Sequence, residues 1–433
     1  MRIIIVGINF APELTGVGKY TGEMAARLAQ RGHRVTIVTA PPYYPFWHVR
    51  RDYHSWTWRR ESWNDCSVIR CPIYVPHKAS GLRRLAHLAS FSLTSIPATI
   101  AAVLAGKPDI VISIAPTLMS SPVALGIARL TGAKSWLHIQ DFEAEAASHL
   151  GLLPRPGLKR AAAAFERGLL KRFDLVSSIS PKMVDRLLAK GVAKERALLF
   201  PNWVDTDVIH PLESASTLRR ELDLPEDRLI ALYAGSMGGK QGLETLIEAA
   251  RYLAKYDSSS SAILVVLAGD GLERAHLQAM AQGLSNVRFV DLQPANRLNE
   301  LLNLADIHLL PQRSGVADLV MPSKLGPMLA SGRPVIATVA PGTQVAMVIA
   351  NCGIAVPPGD TSALVKAIQC LAADPTLRRH LGENARREAE AEPSAEQLLD
   401  RMEDHLRVSH GNPSRNRDRV TIVKGGAARP VRD

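Results

Sequence analysis

Short apolar runs recur along this chain in two separate series, each run bounded by polar or glycine-rich segments. The first series lies at residues 3–8, 35–40, 109–116, 135–140 and 174–180. The second lies at residues 229–235, 262–269, 287–292, 307–312 and 334–339. Runs without polar alternation are typical of strands buried on both faces of a parallel sheet that helices cover. They predict an α/β fold with two Rossmann-like, doubly wound domains facing each other across a cleft, where a ligand is expected.

Length and pattern divide the chain further. A chain of 433 residues exceeds the size at which a single core usually stops growing, about 250–300 residues. The gap between the two series predicts a first domain at 1–203, a second at 204–390 and a helix over 391–407. Residues 408–433 are polar, basic and aperiodic, which predicts a disordered tail. The more specific alternative is that this tail binds nucleic acid.

Charge and cysteine content bear on partners and compartment. The formal net charge of +11 favours anionic partners such as phosphates or a membrane surface, without choosing among them. The chain begins with a strand-like segment rather than a signal peptide, and its four cysteines have no metal-ligand spacing. We therefore expect a cytoplasmic protein with reduced thiols. The most apolar stretch, residues 87–104, is interrupted by serine, threonine and proline, and we expect a buried helix there rather than a membrane span.

Three glycine-rich junctions between a strand and a helix are candidate anion sites, because glycine lets the backbone approach a ligand and helix N–H groups attract negative charge. The first junction carries Gly16 and Gly18, the second carries Gly235 and Lys240, and the third is Gly269-Asp270-Gly271. The fingerprint G-x-G-x-x-G and the Walker spacing are both absent, which disfavours a nicotinamide site or a P-loop. The alternative is an ordinary tight turn at the first junction and a turn capped by aspartate at the third.

A fourth junction, MPSKLGPMLASGRPVIA at residues 321–337, places Ser323 and Lys324 at the start of a predicted helix. A hydroxyl, an ammonium group and free N–H groups would converge there on an anion. Pro327 conflicts with a regular helix, since it has no N–H and its ring would clash with the carbonyl of Ser323. We expect either a kinked first turn or a helix that begins only at Pro327.

In their order and spacing, these segments resemble family 4 of the retaining glycosyltransferases, enzymes of the two-domain GT-B fold. The resemblance covers roughly residues 1–390 and includes TGVGKYTGEMAARLAQRGHRVTIVT, LFPNWVDTDVIHP, AGSMGGKQGLETLIEAA, LAGDG and PSKLGPMLASGRPVIA. Within the family, the chain is similar to transferases of colanic acid biosynthesis that are associated with fucosyl transfer. The resemblance implies transfer of a sugar from a nucleotide-diphosphate sugar, with GDP-fucose as one candidate, to a lipid-linked saccharide in exopolysaccharide biosynthesis.

The resemblance also implies the site residues. The catalytic residues would be His138, Asp141 and Lys240. The donor would be bound by Gly16, Gly18, Gly235, Ser236, Lys240, Gly269, Asp270, Gly271, Asp318, Ser323 and Lys324. No metal and no other cofactor is expected, because family members stabilise the leaving diphosphate with lysine and arginine. For His138 alone, a hydrogen-bonded histidine within a strand is the alternative.

Three positions depart from the family pattern. Ser236 stands where an arginine is usual, while Leu319 and Pro327 stand where two glutamates, eight residues apart, are usual. Nearby Asp318 is a partial substitute for the first glutamate. These departures leave open the alternative that the chain is an assembly protein, which keeps the fold but no longer catalyses the transfer. A GT-B sugar epimerase is a further alternative, which would need a pair of acid–base carboxylates that we cannot place.

An aromatic and arginine-rich segment, residues 43–63, holds four of the six tryptophans and the pairs Arg50-Arg51 and Arg59-Arg60. Amphipathic aromatic side chains beside cations favour an anionic lipid interface or a lipid diphosphate. We expect this segment to dock the protein on the cytoplasmic face of the membrane, where a polyprenyl-diphosphate-linked acceptor is found. No nucleic-acid partner is expected, since no supporting module is present. A packed loop with solvated arginines is the alternative.

Overall fold

The computed structural model describes residues 1–13, 16–76, 81–142, 145, 156–213, 216–239, 241–256, 263–313 and 321–408. The chain divides into two compact units, Met1–Ala395 and Glu396–Asp433, and the first unit contains both β-sheets. In the second unit, the described residues are helical up to Val408. The tail that was predicted to be disordered lies, beyond Val408, outside the described residues.

Eight strands form the first sheet: β1 (Arg2–Val6), β2 (Arg34–Thr39), β3 (Arg59–Trp63), β4 (Cys66–Arg70), β5 (Ile110–Ala115), β6 (Lys134–Ile139), β7 (Leu175–Ser178) and β8 (Ala197–Leu199). Their order across the sheet is β3-β4-β2-β1-β5-β6-β7-β8. β3 runs antiparallel to β4, and the other neighbouring pairs are parallel. In the centre, Ile5 pairs with Ile37 on one side and with Ile112 on the other.

Six strands form the second sheet: β9 (Leu229–Ala234), β10 (Ile263–Ala268), β11 (Val287–Val290), β12 (Ile307–Pro311), β13 (Val335–Thr338) and β14 (Gly353–Val356). Their order is β11-β10-β9-β12-β13-β14, and all neighbouring pairs are parallel. Each residue of β10 is buried, because apolar clusters cover both faces of this sheet.

The helices of the described residues are numbered here in chain order. Those of the first half are α1 (Gly16–Gln30), α2 (Gly81–Leu104), α3 (Ser121–Thr131), α4 (Pro156–Leu170) and α5 (Pro181–Ala189). Those of the second half are α6 (Leu218–Glu221), α7 (Glu244–Tyr256), α8 (Arg274–Met280), α9 (Leu298–Leu302), α10 (Leu325–Ala330), α11 (Gln344–Ile349), α12 (Thr361–Ala373), α13 (Pro375–Ala391) and α14 (Ala395–Val408). Single 3₁₀ turns occur at Leu118–Ser120, Lys194–Arg196 and Ala295–Arg297.

Both sheets have a point at which the strand order reverses direction. In the first sheet it lies between β1 and β5, and in the second between β9 and β12. In open α/β sheets the ligand site lies outside the carboxyl ends of the strands at this point. We therefore expect the ligand site among the segments that follow β1, β9 and β12.

The predicted fold class, two doubly wound α/β domains, is confirmed, and each of the ten apolar runs contains a strand. The sequence pattern missed the edge strands β3, β8 and β14, and also β4, which lies between β3 and β2. β3 reads RRESW with no residue fully buried, since an edge strand is solvated and carries charge that blocks further pairing. Such strands lack the apolar run from which the others were predicted.

The expectation of a buried helix near residues 87–104 is half right. α2 begins earlier, at Gly81, and buries Leu88, Phe91 and Ala98 against the first sheet. Its opposite side exposes large apolar side chains, among them Leu93, which is 67% exposed. Among the described residues, α2 alone is long and apolar enough to cross a membrane on length and composition.

Candidate functional site

Two loops interlock at the carboxyl ends of β9 and β10. Gly235 N donates to Ala268 O at 2.9 Å, and Met237 N donates to Asp270 O at 2.8 Å. A Cβ on Gly269, whose φ is +135°, would lie 2.0 Å from the carbonyl oxygen of Gly235. A Cβ on Gly271 would lie 2.3 Å from the carbonyl oxygen of Met237. The glycines predicted to admit a ligand are thus required for the packing of one loop on the other.

The predicted site residue Lys324 reaches this pair of loops. Its Nζ donates to the hydroxyl of Tyr233 at 2.7 Å and lies 4.2 Å from the centroid of the same ring. The Tyr233 hydroxyl in turn donates to the carbonyl of Ser236 at 2.6 Å. A Cβ on Gly235 would lie 2.8 Å from Nζ, so the ammonium group is directly beside the glycine loop. The structure therefore brings Lys324, Gly235 and Ser236 together.

Burial lowers the pKa of Lys324 to about 7. No carboxylate within hydrogen-bond distance of Nζ was found among the described residues. A partly buried lysine with no carboxylate beside it loses its proton readily, because the charged form is poorly solvated. An anion bound beside it would restore the charge. The position is therefore suited to a ligand that brings negative charge.

Pro327 lies in the first turn of α10, which begins at Leu325. The expectation that this helix begins only at Pro327 is therefore wrong. Leu325 N donates to Pro322 O at 3.0 Å, and Met328 N donates to Lys324 O at 3.1 Å. The first N–H groups of a helix have no partner inside it, so proline is tolerated there. The carbonyl of Ser323 accepts a hydrogen bond from the hydroxyl of Tyr20 at 3.2 Å. Tyr20 belongs to α1, so this contact joins the two sheet-bearing halves of the chain.

The turn after β1 holds a buried carboxyl group, that of Glu13. Its Oε1 accepts from the N–H groups of Tyr43 and Tyr44, and its Oε2 accepts from Asn9 Nδ2 at 2.9 Å. Burial raises the pKa of Glu13 to about 7, although these hydrogen bonds favour the charged form. A Cβ on Gly18 would lie 2.6 Å from Glu13 Oε2. Gly18 is therefore needed for close packing on the carboxyl, while Gly16, half-buried with φ +63°, begins α1.

Tyr44 brings the first half of the chain to the glycine loop of the second. Its hydroxyl donates to Ser236 Oγ at 3.5 Å. Burial raises the pKa of Tyr44, and the negative charge of nearby Asp141 raises it further. The predicted residues Asp141 and Ser236 thus both lie near Tyr44.

His138 is enclosed within the first sheet and only 3% exposed. Its Nδ1 forms a hydrogen bond with Ser177 Oγ at 2.8 Å, and the same hydroxyl oxygen accepts from Trp136 Nε1 at 2.7 Å. Burial lowers the pKa of His138 to about 3, so the imidazole is neutral at physiological pH. These contacts are those of a histidine that is hydrogen-bonded within the sheet, which is the alternative to a catalytic role. A catalytic part for His138 stays a prediction.

Asp270 caps its own loop, since its Oδ1 accepts from the N–H of Gly271 at 2.7 Å. Arg274 closes the outer side of this loop by donating to Gly269 O and to Asp291. Two predicted site residues, Lys240 and Asp318, lie outside the described residues, as does Leu319.

Sequence reasoning missed Glu13, Tyr20, Tyr44 and Tyr233 as residues of this site. A signal was present for Glu13, because a carboxyl group in a glycine-rich strand–helix junction is a usual place for a shifted pKa. The tyrosines carried no comparable signal. Their partners lie far away along the chain, as with Tyr20 and Ser323.

Two family models match the sequence of this chain. Residues 15–203 match the model of the glycosyl transferase 4-like domain, and residues 214–388 match that of the glycosyl transferases group 1. The chain is 42% identical to the putative colanic acid biosynthesis glycosyl transferase WcaI of Escherichia coli (strain K12) over 379 residues, which are 85% of this chain and 91% of the relative.

Two solved structures have the same fold. Sucrose-phosphate synthase from Thermosynechococcus elongatus aligns with a TM-score of 0.71 at 21% identity, covering 94% of this chain and 99% of that one. Anabaena HepE in complex with UDP-glucose aligns with a TM-score of 0.67 at 15% identity, covering 94% of this chain and 99% of that one.

Proposed function

Since this chain belongs to the family 4 glycosyltransferases of the GT-B fold, we propose that it transfers a sugar, with retention, from a nucleotide-diphosphate sugar to a lipid-linked saccharide in surface polysaccharide assembly. The single observation that carries the proposal is the position of Lys324. Its ammonium group lies beside the Gly235 loop, at the reversal point of the second sheet, without a carboxylate partner among the described residues.

The donor site consists of the residues round this ammonium group. Lys324 binds the diphosphate, with Ser236 and Ser323 on either side and Lys240 as a second cation. The base and ribose lie near Gly269, Asp270 and Gly271, and Asp318 takes part in ribose recognition. UDP-glucose is the ligand of the Anabaena HepE complex, which supports a nucleotide-diphosphate sugar as the donor class. GDP-fucose is the first donor to test.

The chemistry follows from the charge that the leaving group develops. As the bond between the anomeric carbon and the phosphate oxygen breaks, negative charge grows on the diphosphate, and a fixed ammonium group stabilises it. Lys324, and Lys240 with it, supply this charge without a metal. The acceptor oxygen bonds to the same face of the anomeric carbon, and its proton passes to the departing phosphate. Asp141 and the neutral His138 lie near the transferred sugar and orient it.

The acceptor is a polyprenyl-diphosphate-linked saccharide on the cytoplasmic face of the membrane. The name of the Escherichia coli relative, a putative glycosyl transferase of colanic acid biosynthesis, supports an exopolysaccharide acceptor. The aromatic and arginine-rich segment 43–63 supports a membrane surface: Trp56 is 71% exposed, and Arg51 and Arg60 of the same segment are also exposed. Arg50 and Arg59 are partly neutralised by Asp52 and Glu61.

The test has two steps. A thermal-shift screen against a panel of nucleotide-diphosphate sugars identifies the donor, and release of nucleoside diphosphate then measures turnover. Lys324→Met should reduce donor affinity by about tenfold or more, because a hydrogen bond to a charged group contributes about 1.5–3 kcal/mol. Lys366→Met, an exposed lysine of α12, is the matched control and should bind like the native protein. Native affinity in Lys324→Met would refute the donor site.

A second candidate is an assembly protein of the same fold that binds a donor without turning it over. Ser236 and Pro327, which stand at positions where the family usually carries charged side chains, favour it. The same assay separates the two functions. Donor binding without release of nucleoside diphosphate, in the presence of extracted lipid-linked saccharides, would support the second.

A further inference from the structure

The outer side of α2 is apolar along its whole length. We call this surface the α2 face and define it by Leu82, Leu85, Leu93, Ile96, Ile100 and Leu104. Their side chains are exposed to 83%, 38%, 67%, 40%, 45% and 82%, respectively. The spacings of three, four and eight residues place them on one side of a helix. Helices at the surface of a globular domain normally carry charged residues on this side.

The amino-acid sequence of α2 lacks charged residues over most of its length. From Leu85 to Gly106 the chain has no aspartate, glutamate, lysine or arginine. The polar residues in this stretch that are buried include Ser92, Ser95 and Thr99, and each donates to a carbonyl of its own helix. Charge returns only at the two ends, with Arg83 at the start and Lys107 just after the end. A large exposed apolar surface of this kind marks an interaction site.

Trp58 extends the α2 face sideways, and exposed Trp56 lies two residues before it in the chain. The indole Nε1 of Trp58 donates to the main-chain carbonyl of Thr94 at 3.1 Å, which attaches the segment before β3 to the middle of α2. Trp58 nevertheless remains 53% exposed, and Trp56 remains 71% exposed. Tryptophan is favoured where an apolar environment meets a wet one, because its ring is amphipathic.

The inner side of α2 holds the helix on the domain. Leu88, Phe91 and Ala98 lie in the same apolar cluster as Ile4 and Val38 of the first sheet. His87, also on the inner side, bonds to Tyr74 O at 2.6 Å and to the Tyr43 hydroxyl at 3.1 Å. A helix with one side in the domain core cannot cross a bilayer. It can lie in the bilayer interface with its outer side in the acyl region.

We propose that the α2 face, together with Trp56 and Trp58, inserts into the interfacial layer of an anionic phospholipid membrane, with the axis of α2 parallel to the membrane plane. Charge selects the lipid over a second copy of this chain. Exposed Arg83 lies at the start of α2, exposed Lys107 lies just after its end, and exposed Arg60 lies two residues after Trp58. These cations would repel their equivalents across a symmetric interface. The same residues attract lipid phosphates.

The inner side of α2 is linked to the candidate site by hydrogen bonds. His87 of α2 bonds to Tyr43, and the next residue, Tyr44, reaches Ser236 in the glycine loop. Burial raises the pKa of Tyr44, and the positive charge of Arg84, at the start of α2, lies close enough to oppose that rise. This step rests on the proposed function. In that case, a lipid-diphosphate acceptor enters the site at the amino-terminal end of α2.

The experiment is flotation of the full chain with vesicles of phosphatidylcholine, with and without phosphatidylglycerol. The triple variant Leu93→Ser, Ile96→Ser, Ile100→Ser should lose vesicle binding by about tenfold or more, because each apolar side chain adds to the free energy of insertion. The control is Leu130→Ser, Val208→Ser, Met347→Ser, which changes three exposed apolar side chains elsewhere and should bind like the native chain. The fluorescence of Trp56 and Trp58 should shift to shorter wavelength only with anionic vesicles.

Two results would overturn the inference. One is equal vesicle binding by the native chain and the α2 triple variant. The other is a native dimer that the triple variant converts to a monomer, with no vesicle binding by either, which would make the α2 face an interface between two copies. Donor binding is measured on the same samples and should be unchanged by the triple variant. Vesicle binding without donor binding would contradict the proposed function alone.

Discussion

The hydroxyl of Tyr20 in α1 donates a hydrogen bond to the main-chain carbonyl of Ser323, which lies four residues before Pro327. An N–H at position 327 could bond to this carbonyl and extend α10 by one residue. Proline has no N–H, and the carbonyl accepts from the other half of the chain instead. The proline that conflicts with a regular helix thus keeps an acceptor available for a contact across the cleft.

Replacement of Pro327 should weaken this contact. In Pro327→Ala the new N–H competes with Tyr20 for the Ser323 carbonyl. Tyr20→Phe should therefore cost about 1 kcal/mol of unfolding free energy in the native chain, and clearly less in the Pro327→Ala background. Urea unfolding of the two single variants and the double variant measures the difference. Equal costs of Tyr20→Phe in both backgrounds would contradict the competition.

The central strands could be predicted from the sequence because both of their faces are buried. A strand such as β10, with each residue buried, must be apolar throughout, and the pattern is visible without the partner strands. The edge strand β3 has no such constraint and was missed. The glycine junctions were also found, since a position like Gly269, with φ +135°, requires glycine whatever its neighbours are.

The rest of the site depends on contacts between residues far apart along the chain. Lys324 was predicted, but its hydrogen bond to Tyr233 joins β9 to the segment before α10. Glu13 bonds to the N–H groups of Tyr43 and Tyr44, in a loop after another strand. The exposure of Leu93 also depends on which side of α2 meets the sheet. Periodicity gives the two sides of a helix but does not say that an apolar side stays uncovered.

Donor binding should be coupled to proton uptake by Lys324. Its pKa is lowered to about 7 in the free protein, and a bound diphosphate favours the charged form. Above pH 7 the free lysine is mostly neutral, so binding takes up a proton and affinity falls by up to about tenfold per pH unit. Calorimetry at about pH 8.5, in buffers of different ionisation enthalpy, counts the protons. Lys324→Arg stays charged and should show no uptake; an unchanged proton count in that variant would exclude Lys324 as the titrating group.

Stability should decrease as the pH falls below the usual range of histidine. Burial lowers the pKa of His87 to about 4 and those of His138 and His308 to about 3. Between these values and about 6.5 the unfolded chain binds protons that the folded chain does not, so acid favours unfolding. Glu13, with a pKa raised to about 7, opposes this below pH 7, because its folded form takes up a proton before its unfolded form does.

The measurement is the unfolding free energy in urea between about pH 7 and pH 5, where each buried histidine should cost about 1–2 kcal/mol. His138→Gln should reduce the slope against pH by about a third of the histidine contribution. A slope unaffected by His138→Gln would mean that this imidazole titrates alike in both states.

The arginines of segment 43–63 should contribute unequally to membrane binding. Arg51 and Arg60 are exposed without an ion pair within the described residues, whereas Arg50 pairs with Asp52 at 3.0 Å and Arg59 lies 3.6 Å from Glu61. Arg51→Ser with Arg60→Ser should weaken sedimentation with anionic vesicles by about tenfold or more, since each free cation near the surface contributes about 1 kcal/mol. Arg50→Ser with Arg59→Ser should have the smaller effect. Equal losses from the two pairs, or no loss from either, would refute electrostatic docking through this segment.

Gly269 provides a test of the interlocked loops that carry the donor site. In Gly269→Ala the new Cβ would lie 2.0 Å from the carbonyl oxygen of Gly235, at φ +135°. We expect a loss of about 2–4 kcal/mol in unfolding free energy together with weaker donor binding, because overpacking and backbone strain add. Gly283→Ala, at φ +83° with no atom within 4 Å of its Cβ, is the matched control and should cost only about 1 kcal/mol. Urea unfolding and donor titration measure both. Equal costs for the two variants would mean that the loops after β9 and β10 separate easily, and that the Lys324 ammonium group is not held against a fixed backbone.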